Sequence, residues 1–238
     1  MSKKLIKSGM IVSAMTLASR VMGLVRDVVI ANLLGAGVAA DVFFFANRIP
    51  NFLRRLFAEG SFATAFVPVF TEVKETRSHA ELRELMARTA GTLGGVLMLV
   101  TALALIFAPQ LASVFSSGVD TDPVKQGLLV DLFRLTFPFL LFVSLTALAG
   151  GALNSFQRFA MPALTPVILN LCMIAGALWL APRLGGTPEK QILALGWAVL
   201  AAGLLQLLFQ LPSLKGIDLL TLPRWGWNHP GVRKVMTL

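Results

Sequence analysis

Residues 127–153 read GLLVDLFRLTFPFLLFVSLTALAGGAL, a nearly unbroken apolar run that decides the fold. A helix needs about 20 mostly apolar residues to cross the hydrocarbon core of a bilayer, and this run is long enough. Apolar and polar residues do not alternate along it, so the pattern does not predict a strand of a membrane barrel. The run therefore predicts a membrane-spanning helix, which we expect to bend at Pro138.

Similar runs occupy most of the chain, which is 56% hydrophobic and only 14% charged, with a mean hydropathy of +0.76. Soluble domains carry roughly 25% charged residues. The sequence predicts an all-α integral membrane protein, a bundle of about six transmembrane helices. The predicted spans are residues 8–34, 39–70 (kinked at Pro50 and Gly60), 87–107, 127–153, 160–180 and 192–211. They make residues 1–214 a transmembrane lobe, which residues 215–238 follow as a cytoplasmic or interfacial segment.

The net charge of +9 does not indicate nucleic-acid binding, because the chain lacks the polar surface of a basic soluble face. Basic residues concentrate instead in alternate connecting segments, as expected on the cytoplasmic side of a membrane. With the N-terminus in the cytoplasm, the outer segments hold only Lys125, Arg183 and Lys190. The inner segments then hold Lys3, Lys4, Lys7, Lys74, Arg77, Arg83, Arg88, Arg158, Lys215, Arg224, Arg233 and Lys234.

Several other features of the sequence limit the classes of function that it can have. Cys172 is the only cysteine, and His79 and His229 lie far apart, so we expect no disulfide and no metal site. No nucleophile elbow, metalloprotease motif or phosphate-binding glycine loop occurs, so we expect neither catalysis nor a cofactor. Small residues at positions 87, 91 and 95 form a stripe that predicts close helix–helix packing.

The first two predicted spans differ from the others because they contain many charged residues. Each arginine at mid-membrane costs about 2.5–3.5 kcal/mol on insertion scales, so these side chains must face the bundle interior, a water-filled cavity or an interface. The residues concerned are Arg20, Arg26, Asp27, Asp41, Arg48, Arg54, Arg55 and Glu59.

Helical spacing places part of this set on one side of the second span. Asp41, Arg48 and Arg55 follow each other at seven-residue intervals, and Glu59 lies four residues later. Pairing among the charges is one interpretation, with Arg55 and Glu59 as an (i, i+4) pair and Asp27 or Asp41 neutralising an arginine of a neighbouring helix.

Pairing cannot neutralise the whole set, because three carboxylates face five arginines. A guanidinium that lacks a carboxylate partner attracts an anion, and phosphate matches its fork of donors best. The pattern thus indicates an anionic, phosphorylated ligand reached from within the membrane. A voltage sensor would need arginines at regular three-residue spacing, which this sequence lacks.

The same region resembles the MurJ (MviN) lipid II flippases. The resemblance rests on SRVMGLVRD at residues 19–27, DVFF at 41–44, RIPNFLRRLFAEGSF at 48–62 and AFVPVF at 65–70. Weaker matches follow at residues 136–138, 154–162 and 210–212.

The resemblance implies one lobe of a two-lobe flippase of about fourteen helices within the multidrug/oligosaccharidyl-lipid/polysaccharide exporter superfamily. It implies a multi-pass protein of the bacterial inner membrane that moves lipid II, a polyprenyl pyrophosphate bearing a sugar-peptide head, between leaflets. Membrane lipids and a second, C-terminal lobe are the implied partners, and the chain is expected to be a fragment, a truncated product or half of an assembly. The implied substrate-binding residues are Arg20, Arg26, Asp41, Arg54, Arg55 and Glu59, with Arg48 at a position where basic residues are acceptable.

Two alternatives stay open. A related exporter of other polyprenyl-linked sugars or of drugs would share the fold, although an exporter of cationic drugs calls for excess carboxylates in its cavity. A non-transporting membrane scaffold would tolerate loss of the arginines. An enzyme acting on lipid-linked phosphates would need a carboxylate cluster or a histidine in the cavity, which the sequence lacks.

Overall fold

The structure is a computed structural model that describes residues 3–35, 37–54, 61–116 and 123–237. The regular structure of these ranges is helical, without a strand. The helices are α1 (Lys3–Leu34), α2 (Val38–Arg54), α3 (Ser61–Thr76), α4 (His79–Ile106), α5 (Ala108–Ser116), α6 (Pro123–Ser155), α7 (Ala160–Ala175), a π-helical turn (Gly176–Leu180), α8 (Ala181–Leu184), α9 (Pro188–Lys215) and α10 (Pro230–Thr237).

Four helical segments of the described ranges are long and apolar enough to cross a membrane. They are His79–Ile106, Pro123–Ser155, Ala160–Leu184 and Pro188–Lys215. The predicted class, an all-α integral membrane protein, is confirmed, and the count of about six spans stays a prediction. The second predicted span corresponds to α2 and α3, and residues 55–60 between them lie outside the described part.

The start of α4 is fixed by a cap. The charged stretch before the third predicted span is expected to be a loop or a surface helix, and the structure assigns much of it to the first turns of α4. The Ser78 hydroxyl accepts the backbone N–H of Glu81 at 3.3 Å and lies 3.1 Å from the Glu81 carboxylate. The first of these bonds satisfies one of the backbone N–H groups that a helix N-terminus leaves without an intrahelical partner. One turn further, Arg88 pairs with Glu84 at 2.8 Å.

Helix α6 organises the fold because it belongs to both hydrophobic cores. One core joins α6 to α1, α2, α5, α7 and α9, with Phe133 and Phe137 fully or almost fully buried. The other joins α6 to α3, α4, α9 and α10, with Leu148 and Leu153 buried. The α6–α9 contact is close at Gly203, since a Cβ there would come within 2.8 Å of the Phe139 ring. The missing side chain therefore lets the two helices approach. Helices α7 and α9 then form a platform beside α6, against which α1 packs.

The small-residue stripe of α4 has a partner that the sequence analysis did not foresee. An extended segment, residues 219–226, lies in it, and the Arg224 N–H donates to the Ala87 carbonyl oxygen at 2.9 Å. The Gly226 N–H donates to the buried Thr92 hydroxyl at 3.0 Å. The stripe was therefore expected to pack against a helix, and this expectation was wrong in the partner. The absence of a side chain at Gly91 admits the Arg224 backbone, and its absence at Gly95 admits the Trp225 ring.

We expect Gly91→Ala to destabilise the protein, because the new methyl group would run into the Arg224 backbone. Overpacking costs about 1–3 kcal/mol, which outweighs the roughly 1 kcal/mol that alanine gains over glycine inside a helix. The measurement is the free energy of unfolding in detergent. Gly94→Ala is the matched control, since its methyl group would meet only a Leu145 side-chain carbon at 3.9 Å. Equal effects of the two substitutions would contradict this account of the stripe.

Candidate functional site

Arg26 of α1 is bonded to the buried side-chain amide of Asn170 on α7. The Arg26 Nη1 donates to the Asn170 Oδ1 of α7 at 3.0 Å. The Asn170 Nδ2 donates in turn to the Ser19 backbone oxygen of α1 at 3.0 Å. Asn170 is 5% exposed, so its amide is fixed at both ends within the α1–α7 contact. Because a backbone oxygen only accepts, the amide oxygen must face the guanidinium.

The other donors of Arg26 turn toward its own helix. Its Nε and Nη2 donate to one carboxylate oxygen of Asp27 at 2.9 and 2.7 Å. The Asp27 side chain is 63% exposed and that of Arg26 29%, so this ion pair is solvated and contributes little stability. A guanidinium has five N–H donors, and these bonds do not use all of them. Arg26 therefore keeps N–H groups that can donate to a further acceptor.

Arg26 and Asp27 border a cavity of about 160 Å³. Helix α2 contributes Phe43, Phe44 and Asn47, and the rest of the wall is largely apolar. The remaining lining residues, from α1, α6, α7 and α9, are Ile30, Phe139, Leu169, Met173 and Val199. A guanidinium group at the edge of an apolar cavity can bind an anionic group of a ligand whose remaining surface is apolar.

Two predicted site residues lie outside this cluster. Arg20 is exposed on α1 and makes no hydrogen bond or ion pair with a described residue. Asp41 is exposed in the first turn of α2 and makes no ion pair with an arginine whose side chain the structure describes. Asp27 pairs with its neighbour Arg26. The neutralisation of an arginine of a neighbouring helix by Asp27 or Asp41 stays a prediction.

The remaining predicted site residues all belong to the second predicted span. Arg48 and Arg54 belong to α2, but their side chains lie outside the part that the structure describes. Arg55 and Glu59 lie outside the described residues altogether. The stripe along the second span and the Arg55–Glu59 pair therefore stay predictions.

Asn170 was not among the site residues predicted from the sequence. The sequence does single it out, because Asn170 is the one side-chain amide in the apolar stretch 167–180. Polar side chains inside transmembrane segments usually face the bundle and find partners there. The spacing along one helix cannot reveal this partnership, because Arg26 and Asn170 are 144 residues apart.

The fold and the cavity define a multi-pass helical membrane protein with an arginine turned toward a cavity between its helices. The family model described as "Lipid II flippase MurJ" matches residues 30–238. The chain belongs to this family, as the resemblance of its first two predicted spans implied.

The relatives are proteins about twice as long. The chain is 49% identical to the probable lipid II flippase MurJ of Vibrio cholerae, over 100% of this chain and 46% of that protein. It is 40% identical to the lipid II flippase MurJ of Burkholderia cenocepacia, over 94% of this chain and 44% of that protein.

A solved structure, "Lipid II flippase MurJ, inward closed conformation", matches with a TM-score of 0.75 and 25% identity, over 96% of this chain and 46% of the other. The chain thus spans somewhat less than half the length of these relatives, as one lobe of a two-lobe protein would.

Replacing Asn170 tests the contribution of its two hydrogen bonds, with Arg26 and with the Ser19 backbone, which together form the Asn170 clamp. We expect Asn170→Leu to lower the free energy of unfolding by about 1–2 kcal/mol, because the Ser19 oxygen and Arg26 both lose a partner between packed helices. The measurement is a denaturant titration in detergent micelles. Asn32→Leu is the control, since Asn32 is exposed on the same first helix. An Asn170 variant no less stable than the Asn32 variant would show that the clamp contributes nothing.

Proposed function

We propose that this chain forms one lobe of a lipid II flippase, in which cavity arginines bind the pyrophosphate while the lipid-linked precursor moves from the inner to the outer leaflet. The observation that carries the proposal is Arg26, oriented by a buried amide of another helix and keeping donors free at the edge of a cavity. The family to which the chain belongs is named for lipid II, a substrate of the same kind. The role is transport, and it involves no bond cleavage.

The charge distribution supports an anionic ligand. In the described part, the Asp27 carboxylate is the only acidic group bonded to Arg26, and Arg20 lacks a carboxylate partner. Over the first two predicted spans, five arginines exceed three carboxylates. Such an excess of guanidinium groups favours an anion with several acceptor oxygens, such as pyrophosphate. We propose that Arg20, Arg54 and Arg55 join Arg26 around it, with Arg48, Asp41 and Glu59 tuning the local charge.

Translocation calls for a second lobe. Alternating access in transporters of this kind proceeds by rocking of two halves about a site between them. Because the relatives are about twice as long as this chain, we propose that flipping requires a further lobe in addition to residues 1–238. The excess of Lys and Arg in alternate connecting segments supports a cytoplasmic N-terminus in the inner membrane of a bacterium.

The experiment is complementation of bacteria depleted of their own flippase. The cells receive this chain alone, or a chimera in which it replaces the matching segment of the Vibrio cholerae relative. We expect rescue by the chimera, and a loss of about tenfold or more in lipid II accessible at the outer leaflet with Arg26→Ala, because charge-assisted hydrogen bonds to pyrophosphate are lost.

The control is Arg183→Ala, which removes an exposed arginine of α8 outside the cavity. Equal amounts of each variant in the membrane are verified by immunoblotting. Failure of a well-inserted chimera to rescue would overturn the proposal. Rescue that is indifferent to Arg26 would instead favour a different substrate or a scaffold role.

A further inference from the structure

A second cavity, of about 290 Å³, lies between α3, α6, α7 and α9. Its polar residues are Thr146, Asn154, Thr165, Gln206 and Gln210. The described residues that line it include no charged side chain. Its size is close to the lower end of the range of about 300–1,000 Å³ that small-molecule sites occupy.

Two buried glutamines of α9 line this cavity, and their amide oxygens have no hydrogen-bond partner among the described residues. Gln206 is 4% exposed, and its Nε2 donates to the Thr165 backbone oxygen at 2.6 Å. This bond fixes the amide, because a backbone oxygen cannot donate, and the Gln206 Oε1 is left as a buried acceptor. Gln210, one turn later and 1% exposed, also has a buried Oε1 without a partner.

The cavity's threonines do not supply the missing donors. The Thr165 hydroxyl donates to the Pro162 oxygen at 2.8 Å, which compensates for the N–H that Pro166 lacks. The Thr146 hydroxyl donates to the Phe142 oxygen at 2.8 Å. Both hydroxyl protons are therefore used. Buried acceptors without donors are rare and costly in native proteins, so the cavity suits a ligand rich in O–H or N–H groups.

This cavity adjoins the one beside Arg26. Phe139 and Leu169 line both, so the two cavities are neighbours. A cation would also satisfy amide oxygens, but it would meet no carboxylate among the described residues of the glutamine cavity. In the neighbouring cavity it would meet an Asp27 carboxylate that Arg26 already neutralises. Electrostatics therefore favours neutral donors.

We propose that the Gln206–Gln210 cavity is a sugar subsite, in which the two amide oxygens accept hydrogen bonds from hydroxyl and amide N–H groups of a saccharide attached to the pyrophosphate. The inference rests on the proposed function, because it takes Arg26 as the pyrophosphate contact. It adds a determinant of selectivity: the protein distinguishes sugar-bearing from bare polyprenyl pyrophosphate.

The test measures dissociation constants of two lipids for the chain in lipid nanodiscs, by native mass spectrometry. The probes are lipid II and undecaprenyl pyrophosphate without a sugar. We expect the starting protein to prefer lipid II by about tenfold or more, and Gln206→Met with Gln210→Met to reduce this preference to about twofold or less. Binding of the bare lipid should not change, because Arg26 is intact.

Gln191→Met is the matched control, since Gln191 lies on α9 outside both cavities. If the double variant does not insert, Gln210→Met alone replaces it, because the Gln206–Thr165 bond then remains. An undiminished preference in the glutamine variants would overturn the sugar subsite and leave the flippase proposal intact.

Other outcomes would also contradict the proposal. Absence of binding of either lipid to the starting protein would count against the flippase proposal itself, and the subsite would fall with it. Stabilisation by NaCl that disappears in the glutamine variants would overturn the subsite in favour of a cation site.

Discussion

The hydrogen bonds that Asn170 makes with Arg26 and Ser19 are the constraint on which the rest of the site depends. A guanidinium in an apolar bundle is tolerated only where polar groups of the protein, water or a ligand meet its donors. The Asn170 amide supplies one such partner from α7 and ties α1 to the α7–α9 platform. It therefore stabilises the packing of α1 and also orients Arg26 toward a cavity, so the same contact serves the fold and the proposed ligand.

The platform itself depends on α6. Because α6 takes part in both cores, it positions α2 over the Arg26 cavity and α3 beside the glutamine cavity. The two cavities share Phe139 and Leu169, and their polar groups differ in kind: a charged donor at one end and neutral acceptors at the other. This order matches a ligand with an anionic centre next to a polar, uncharged head. Lipid II has that arrangement, with its pyrophosphate attached to a sugar.

The helical membrane class follows from composition and from runs such as residues 127–153, because burial of backbone polar groups in lipid leaves few alternatives. Arg26 is likewise identifiable in sequence, since a charge in an apolar run needs an internal partner. The partner was not identifiable, because Asn170 meets Arg26 only through α1–α7 packing, which hydropathy does not encode. For the same reason the stripe at positions 87–95 predicted close approach correctly but not the extended segment that uses it. The sequence did not indicate that Gln206 and Gln210 line a cavity, because their burial and their oxygens without partners are visible only in the structure.

The proposed contact between Arg26 and pyrophosphate is tested most directly by ³¹P NMR of undecaprenyl pyrophosphate in nanodiscs that contain the chain. The account predicts that both phosphorus resonances shift or broaden with the starting protein, and that the change disappears with Arg26→Gln and persists with Arg183→Gln. Identical spectra for the starting protein and the Arg26 variant, at equal protein content, would contradict it.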